Sequence, residues 1–429
     1  MDGLAPSRVD TMRHSLFLLA VVALITLGCS ADADRATEPE VAEPPPSEPL
    51  SPDEEPSAKE LPEPDQPDDL PPLADLPDLH VPDFPDPGTT RSRIPRVPPV
   101  IDRGFTRVEI MYATDRARGT DAPEHFYSDR RRIGDGIDWE FGTCEVSIPY
   151  THRPGEIERP TIWRLEFREN PARHVVLLAV KPMARQLALP ALQARVAQSD
   201  SQAALVFVHG FNVPFAAAAR RTAQMKYDLG FDGAVLLYSW PAPKNYLECQ
   251  DNEVWTRTHL AEVLTEYVQK SGAKQIHLIA HSMGTRVLSN ALTELADSQR
   301  DADFRYNQII LAAPDIDAQI FKRRIAPRIV GQAERISIYA SSNDLALVAS
   351  KRAHNNLRLG EGGPNITIFP DMTTIDVLDA SSVDESLLGH SYYGNSPTIL
   401  RDVRLILAGR NALERGLPAG KGFFFLRRQ

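Results

Sequence analysis

The stretch Ile279-Ala280-His281-Ser282-Met283-Gly284 decides the fold of this chain. It follows an apolar run and precedes a helical pattern. A strand, a sharp turn with a central serine and a helix are the context of a nucleophile elbow, in which the residues two positions from the serine must be small. Ala280 and Gly284 meet this requirement, although glycine is commoner than alanine at the first position. The stretch predicts Ser282 as a nucleophile, and the alternative is a buried serine at a strand end.

A second signature lies upstream, in Leu205-Val206-Phe207-Val208-His209-Gly210-Phe211-Asn212. An apolar strand that ends in His-Gly is typical of a loop that binds an oxyanion. We therefore expect two backbone donors, the N–H of Met283 directly after the nucleophile and the N–H of Phe211. Loss of one such donor raises a reaction barrier by about 3 kcal/mol.

A serine hydroxyl needs a base, and in this context the chain order is serine, acid, histidine. His390 stands in a turn before the last predicted helix and is favoured over His354 as the base. Asp344 and Asp315 both follow predicted parallel strands, where the sites of open α/β sheets gather. Asp344 follows the commoner strand for the acid, and Asp315 is the alternative acid. Their ordinary roles would be a helix N-cap for Asp344 and a turn residue for Asp315.

The apolar periodicity alternates between that of strands and that of helices through most of the chain. Strands are predicted at 105–112, 144–148, 174–180, 204–208, 233–239, 275–280, 308–312, 335–340 and 366–369, and helices at 214–229, 252–270, 283–296, 318–325 and 397–407. Repeated βα units predict an α/β fold with a mainly parallel sheet and helices on both faces.

In this chain of 429 residues, the segment before the predicted strands and helices differs in composition from the rest. Nineteen of the chain's 36 prolines lie between Glu38 and Val100. From Ala31 to Thr89 there are 18 acidic and two basic residues, a net −16, so the rest of the chain carries +5 of the total −11. Such a segment cannot bury enough apolar surface to order itself, and we expect a disordered tether over 30–100. One domain over 101–417 and a tail over 418–429 follow.

Residues 1–29 have the features of an export signal. A basic start at 12–14 precedes an apolar core over 15–27 that is too short to span a membrane comfortably. Cys29 directly follows a small residue at the end of this core, which resembles a bacterial lipobox and predicts lipidation at Cys29. The alternative is an ordinary cleaved signal peptide. For either interpretation, translation could start at Met1 or at Met12. Ser30 is not the aspartate of inner-membrane retention, so we expect an exported, membrane-anchored protein of the cell envelope, at an outer membrane, or a periplasmic or secreted one without the lipid.

Other classes of function find little support. No cluster of Lys and Arg with interleaved aromatics indicates a nucleic-acid partner. His277 and His281 lie on a strand and its turn, without the glutamate of a zinc protease motif. Cys144 and Cys249 could pair, but free or packed thiols are favoured. The aromatic tail 423–428 is expected to pack on the domain or fray rather than touch a membrane.

The chain resembles a bacterial family of α/β-hydrolases of unassigned function, some of them predicted lipoproteins, from about Thr106 to Leu407. The resemblance rests on Tyr112-Ala113-Thr114-Asp115-Arg116, Val146-Ser147-Ile148-Pro149, Phe207-Val208-His209-Gly210-Phe211-Asn212, Arg221-Thr222-Ala223-Gln224, Ser239-Trp240-Pro241, Ala280-His281-Ser282-Met283-Gly284, Ala313-Pro314-Asp315, Tyr339-Ala340-Ser341, Asp344-Leu345-Ala346-Leu347 and Gly389-His390-Ser391-Tyr392-Tyr393.

This resemblance implies an α/β-hydrolase fold and a serine hydrolase of the esterase and lipase type, with Ser282 as the matching nucleophile. It supplies no substrate. We expect hydrolysis of a small-molecule or lipid ester without metal or organic cofactor, at a membrane reached through the lipid anchor. The alternative is a catalytically silent hydrolase-fold lipoprotein that binds or scaffolds.

Overall fold

A computed structural model describes residues 104–134, 139–161, 166–298, 304–383 and 392–428 of the chain. The predicted export signal over 1–29 and the whole of the predicted tether over 30–100 lie outside these ranges. Twelve strands occur within them: β1 Phe105–Thr114, β2 Arg116–Arg118, β3 Tyr127–Arg131, β4 Glu140–Pro149, β5 Val176–Met183, β6 Ala203–Val208, β7 Ala234–Ser239, β8 Gln275–His281, β9 Tyr306–Ala312, β10 Ala333–Ala340, β11 Ile375–Asp379 and β12 Phe424–Phe425.

Ten of these strands form one mainly parallel sheet in the order β12-β11-β10-β9-β8-β6-β7-β1-β4-β5. The pairs β1–β4 and β4–β5 are antiparallel, and the other neighbours are parallel. Strands β2 and β3 form a separate antiparallel hairpin. The turns that follow β6, β8, β9 and β10 therefore open on the same edge of the sheet, where the predicted site residues are expected to meet.

Helices cover both faces of the sheet, as expected for an α/β-hydrolase fold. The described helices are α1 Arg185–Gln198, α2 Phe215–Leu229, α3 Tyr246–Val263, α4 Gly284–Asp297, α5 Ala318–Ile320, α6 Ala326–Ile329, α7 Leu345–His354, α8 Tyr392–Asn395 and α9 Pro397–Leu407. Short π turns extend α3 and α5, over Leu264–Val268 and Phe321–Ile325. Alternate residues of the strands face opposite layers: Val206 and Val208 pack with α1, α3 and α4, whereas Leu205 and Phe207 pack with α2 and α9.

The structure corrects three predicted elements. No strand forms over 366–369; the neighbouring strand of β10 is Ile375–Asp379. Asp376 of this strand is buried and pairs with Arg335 at 2.9 Å. The helix predicted from Asn252 begins at Tyr246, because the Asn245 side chain caps it by accepting from the N–H groups of Leu247 and Glu248.

Helix α1 is the third correction, since the sequence predicted no helix there. Pro190 lies inside it, and proline is a strong sign against a helix interior. Ala188, Leu192 and Val196 nevertheless bury one face of α1 against the sheet. The packing of this face therefore outweighs the local penalty.

The tail joins the domain, as expected from its aromatic residues. Phe424 and Phe425 pair in parallel with Leu378 and Asp379 of β11. The N–H of Leu426 donates to the carbonyl oxygen of Asp379 at 2.9 Å, and the Leu426 side chain is buried. None of the helices in the described ranges combines the length and the apolar composition that crossing a bilayer requires.

Candidate active site

Ser282 occupies the sharp turn between β8 and α4, as the sequence predicted. Its φ of +53° lies in the left-handed region, which costs free energy for a residue with a side chain. The Ser282 N–H donates to the carbonyl oxygen of Ala312 at 3.0 Å, and the Ser282 carbonyl oxygen accepts from Thr285 N–H at 3.0 Å. These bonds to β9 and to α4 hold the strained conformation in place.

The neighbours of Ser282 must be small because another loop lies directly against the turn. A Cβ added to Gly284 would lie 2.1 Å from the carbonyl oxygen of His209. A Cβ added to Gly210 would lie 2.8 Å from the Cβ of Ser282. The register of β6 and β8 pairs Val208 with Ala280 and so brings the His-Gly loop beside the turn.

The two predicted oxyanion donors stand on the two segments that meet here. Met283 immediately precedes α4, where the first N–H groups of a helix have no intrahelical acceptor and carry a partial positive charge. Phe211 follows Gly210 in the loop after β6, and its ring packs against Tyr246 with centroids 5.5 Å apart. Among the described residues, none accepts a hydrogen bond from the N–H of Met283 or of Phe211.

Asp344 lies in the turn after β10 and is buried, with 1 % of its surface exposed. It is the N-cap of α7: Oδ1 accepts from the N–H of Leu347 at 3.0 Å. Asp344 therefore has the N-cap role that was the alternative to a catalytic one. A cap engages one carboxylate oxygen, and a carboxylate has two, so the cap is compatible with a second role for Asp344.

Asp315, the alternative acid, lies after β9 in a network of strong donors. Its Oδ2 accepts from Tyr246 OH at 2.9 Å and from Arg286 Nη2 at 3.0 Å. Its Oδ1 accepts from Ser350 Oγ at 2.7 Å, and Arg358 Nε lies 3.2 Å away. Burial alone would raise the pKa of Asp315, but the two arginines outweigh it and lower that pKa.

This network gives Asp315 a structural role that the sequence did not suggest. It ties the start of α4 to α3 and α7, through Arg286, Tyr246 and Ser350. Because both carboxylate oxygens are already engaged by these partners, we favour Asp344 over Asp315 as the residue that orients a histidine.

Two histidines, His390 and His354, are the candidate bases. His390 lies outside the described residues. His354 is the last residue of α7, and nothing is described of its side chain. The described residues resume at α8, two residues after His390. Helix α2 binds α8: Arg221 Nη1 donates to the Gly394 carbonyl oxygen at 2.8 Å, and Arg221 Nη2 donates to Asn395 Oδ1 at 2.6 Å.

No role was predicted for Arg116, which contacts the His-Gly loop in the structure. Its guanidinium is completely buried. It contacts Ser239 at the end of β7, His209 and Val213 in the loop, and Asp129 in the hairpin. The motif Tyr112–Arg116 contained this residue, but an arginine after a strand usually points to solvent, so only tertiary structure identifies it as a core residue.

The described residues show neither a disulfide nor a metal-binding group. Cys144 and Cys249 are both free and buried. No three His, Cys, Asp or Glu side chains in the described ranges gather as metal ligands would.

One family model covers more than half of the chain. A family model described as "Alpha/beta hydrolase of unknown function (DUF900)" matches residues 185–410. Esterase Pf2001 of Pyrococcus furiosus is 13% identical, with a TM-score of 0.28 over 49% of this chain and 80% of its own. Aspergillus fumigatus lipase B is 14% identical, with a TM-score of 0.27 over 53% of this chain and 62% of its own. No curated protein matches the chain.

Proposed function

The chain belongs to the family of alpha/beta hydrolases of unknown function (DUF900), and we propose that it is a serine hydrolase that cleaves a carboxylic ester. The observation that carries this proposal is the strained turn at Ser282. A serine with a φ of +53° between a strand and a helix, pressed against the Gly210 backbone, is a costly arrangement for a merely structural residue.

The reaction proceeds through an acyl-enzyme. Ser282 Oγ bonds to the ester carbonyl carbon while His390 takes its proton, and Asp344 orients and stabilises the charged histidine. The N–H groups of Met283 and Phe211 stabilise the negative oxygen. The carbon–oxygen bond of the ester then breaks, and the alcohol leaves with the proton from His390. Water attacks in the same way, releasing the carboxylic acid and restoring Ser282.

The substrate is a small-molecule or lipid ester with an apolar acyl group. Leu247 follows Tyr246, whose ring packs against Phe211, and is 56% exposed. Leu345 directly follows Asp344 and is 40% exposed. Leu247 and Leu345 both lie in segments that follow strands ending at the same edge of the sheet as β8, where Ser282 lies. A series of chromogenic esters of increasing acyl length tests this, since kcat/KM should rise with length in wild type and less so in Leu247→Ser.

The nucleophile is tested with a fluorophosphonate, which bonds covalently only to an activated serine. Wild type should be labelled and Ser282→Ala should not, with hydrolysis lost in parallel. Ser289→Ala is the matched control, because Ser289 is buried in α4 and its Oγ has no hydrogen-bond partner among the described residues. Labelling of Ser282→Ala would refute the nucleophile. An unlabelled, inactive wild type would instead favour a silent binding or scaffold protein.

A further inference from the structure

Arg116 is a fully buried cation whose donors all point at defined acceptors. Its Nε donates to Ser239 Oγ at 2.9 Å and its Nη1 to Asp129 Oδ1 at 2.8 Å. Its Nη2 donates to the Val213 carbonyl oxygen at 2.6 Å and lies 3.2 Å from His209 Nε2. Burying a charge is costly unless its partners are well placed, so this geometry is strongly specified.

His209 has one tautomer that satisfies its neighbours. Its Nδ1 lies 2.9 Å from the Gly210 carbonyl oxygen, which can only accept, so Nδ1 carries the proton. Its Nε2 faces Arg116 Nη2, which can only donate, so Nε2 offers its lone pair. Ser239 Oγ, 3.2 Å from Nε2, accepts from Arg116 and is free to donate its own proton to the same lone pair.

The imidazole is held neutral as well as oriented. Burial and then the charge of Arg116 keep the pKa of His209 well below its ordinary value, and the Gly210 and Trp240 carbonyl groups oppose this without outweighing it. Trp240 fixes the ring plane: the two rings are 5.7 Å apart and 7° from parallel, and Trp240 Nε1 donates to the His209 carbonyl oxygen at 2.8 Å.

The bond from His209 to Gly210 determines where the next N–H points. The Gly210 carbonyl and the Phe211 N–H belong to one planar trans peptide, so they point in opposite directions. Holding the carbonyl against the imidazole therefore holds the Phe211 N–H away from it. Without that bond, the glycine would leave this peptide free to rotate.

We propose that Arg116 is a positioning residue that holds His209 in its Nδ1–H tautomer and thereby fixes the Gly210–Phe211 peptide with its N–H turned to the oxyanion. This inference rests on the proposed hydrolase function, since Phe211 matters only if an oxyanion forms. Arg116 touches neither the substrate nor Ser282; it acts through His209 and one backbone peptide.

The test compares Arg116→Met with Arg118→Met, measuring kcat and KM on a chromogenic ester and the thermal unfolding of each protein. Arg118 lies two residues away and is half exposed on Glu140. Arg116→Met should lower kcat by about 10²–10³-fold, the usual loss for one oxyanion donor, with KM nearly unchanged. Arg118→Met should match wild type. A folded Arg116→Met with wild-type kcat would overturn the inference.

Two substitutions of His209 separate positioning from packing, and they decide the question if Arg116→Met does not fold. The amide nitrogen of asparagine reaches the place of Nδ1 and can donate as it does, and the amide oxygen of glutamine reaches the place of Nε2 and can accept as it does. His209→Asn keeps the bond to Gly210, whereas His209→Gln keeps only the contact with Arg116. We expect His209→Asn to retain the higher kcat; the reverse order would show that the contact with Arg116 acts only in packing and would overturn the inference.

A measurement that needs no turnover completes the test. ¹⁵N NMR of the His209 ring in Ser282→Ala should find the proton on Nδ1, and a proton on Nε2 would overturn the inference. If wild type neither hydrolyses esters nor takes up a fluorophosphonate, the proposed function fails, and the ring measurement, repeated in Arg116→Met, still shows whether Arg116 sets the tautomer.

Discussion

Gly284 and His209 touch through their backbones: the Cα of Gly284 lies so close that a Cβ on it would be 2.1 Å from the His209 carbonyl oxygen. This contact is between the segments that follow two adjacent strands, since β6 and β8 pair directly up to Val208 and Ala280. Neither segment can yield without disturbing the sheet. The glycine is therefore required by packing, independently of any chemistry at Ser282.

Gly284→Ala should destabilise the protein by about 1–3 kcal/mol, because the new methyl group meets backbone rather than a mobile side chain. Urea unfolding followed by circular dichroism measures the change. Gly331→Ala is the control, since a Cβ there meets no atom within 4 Å. Equal stability of the two variants would contradict the close approach.

Asp344→Asn should lower kcat on the order of 10⁴-fold while leaving stability almost unchanged. Asparagine caps a helix as well as aspartate, so α7 keeps its cap, but an amide cannot stabilise a charged histidine. Kinetics with a chromogenic ester and thermal unfolding of the same sample measure the two effects. If Asp344→Asn keeps wild-type kcat, Asp344 is a cap and nothing more.

Asp315→Asn should show the opposite pattern. It leaves Arg286 and Arg358 buried without their carboxylate, which costs about 3 kcal/mol of stability. Activity per folded molecule should stay within a few-fold of wild type. A large loss of kcat in a folded Asp315→Asn protein, with little loss in Asp344→Asn, would move the acid to the turn after β9.

The sheet and the Ser282 turn could be predicted from sequence because they rest on local patterns. Apolar runs of strand length, separated by helical periodicity, specify a parallel sheet wherever they occur. The Ser282 turn is visible in the sequence because the close backbone contact there requires small residues around Ser282. β11 was not predicted; it contains two aspartates, one of which pairs with Arg335 of the neighbouring strand.

The sequence favours Asp344 over Asp315 only by the strand that each one follows. Both follow strands that end at the same edge. What distinguishes them is the set of partners, and the partners of Asp315 come from α3, α4, α7 and the segment around Arg358. The buried position of Arg116 could not be predicted for the same reason, because its acceptors come from three separate loops and strands.

We propose that Cys29 carries the lipid that anchors the protein in the cell envelope, with the segment 30–100 as a spacer. About 70 residues at polyproline-like extension could span roughly 200 Å, and a coil averages much less. Wild type should fractionate with membranes and Cys29→Ala with the soluble proteins. Cys144→Ala is the control and should stay with membranes. If wild type and Cys29→Ala are both soluble, residues 1–29 are an ordinary cleaved signal, and the hydrolase proposal is unaffected.

The last prediction concerns His152, which is buried between two carboxylates. Its Nε2 lies 2.9 Å from Asp228 Oδ1 and its Nδ1 lies 2.9 Å from Glu158 Oε2. Both ring nitrogens face acceptors, so both carry a proton only in the charged form. Burial would lower the pKa of His152, but Asp228 and Glu158 outweigh it and raise that pKa above its ordinary value of 6.5.

Because the folded-state pKa of His152 is the higher one, this group stabilises the protein fully below about pH 6.5, and the stabilisation is lost as the pH rises through the folded-state pKa. On the acid side, burial raises the pKa of Asp228, but His152 and the Gly155 N–H outweigh it and lower that pKa, so the contribution of Asp228 persists until the pH falls through the lowered value. Between these limits, His152→Gln should cost about 3 kcal/mol.

Urea unfolding of wild type and His152→Gln from about pH 5 to about pH 9 measures this difference. It should be largest near pH 6 and shrink as the pH rises. His125→Gln, which changes an exposed histidine, should follow wild type throughout. A difference that grows with pH would mean that His152 is neutral in the folded protein.

The His152–Asp228 pair is also linked to α8. Asp228 accepts from Gln224, and Gln224 donates to the Gly394 carbonyl oxygen at 3.3 Å. Loss of the His152–Asp228 pair should therefore loosen α8 first, and amide hydrogen exchange of residues 392–395 would detect this.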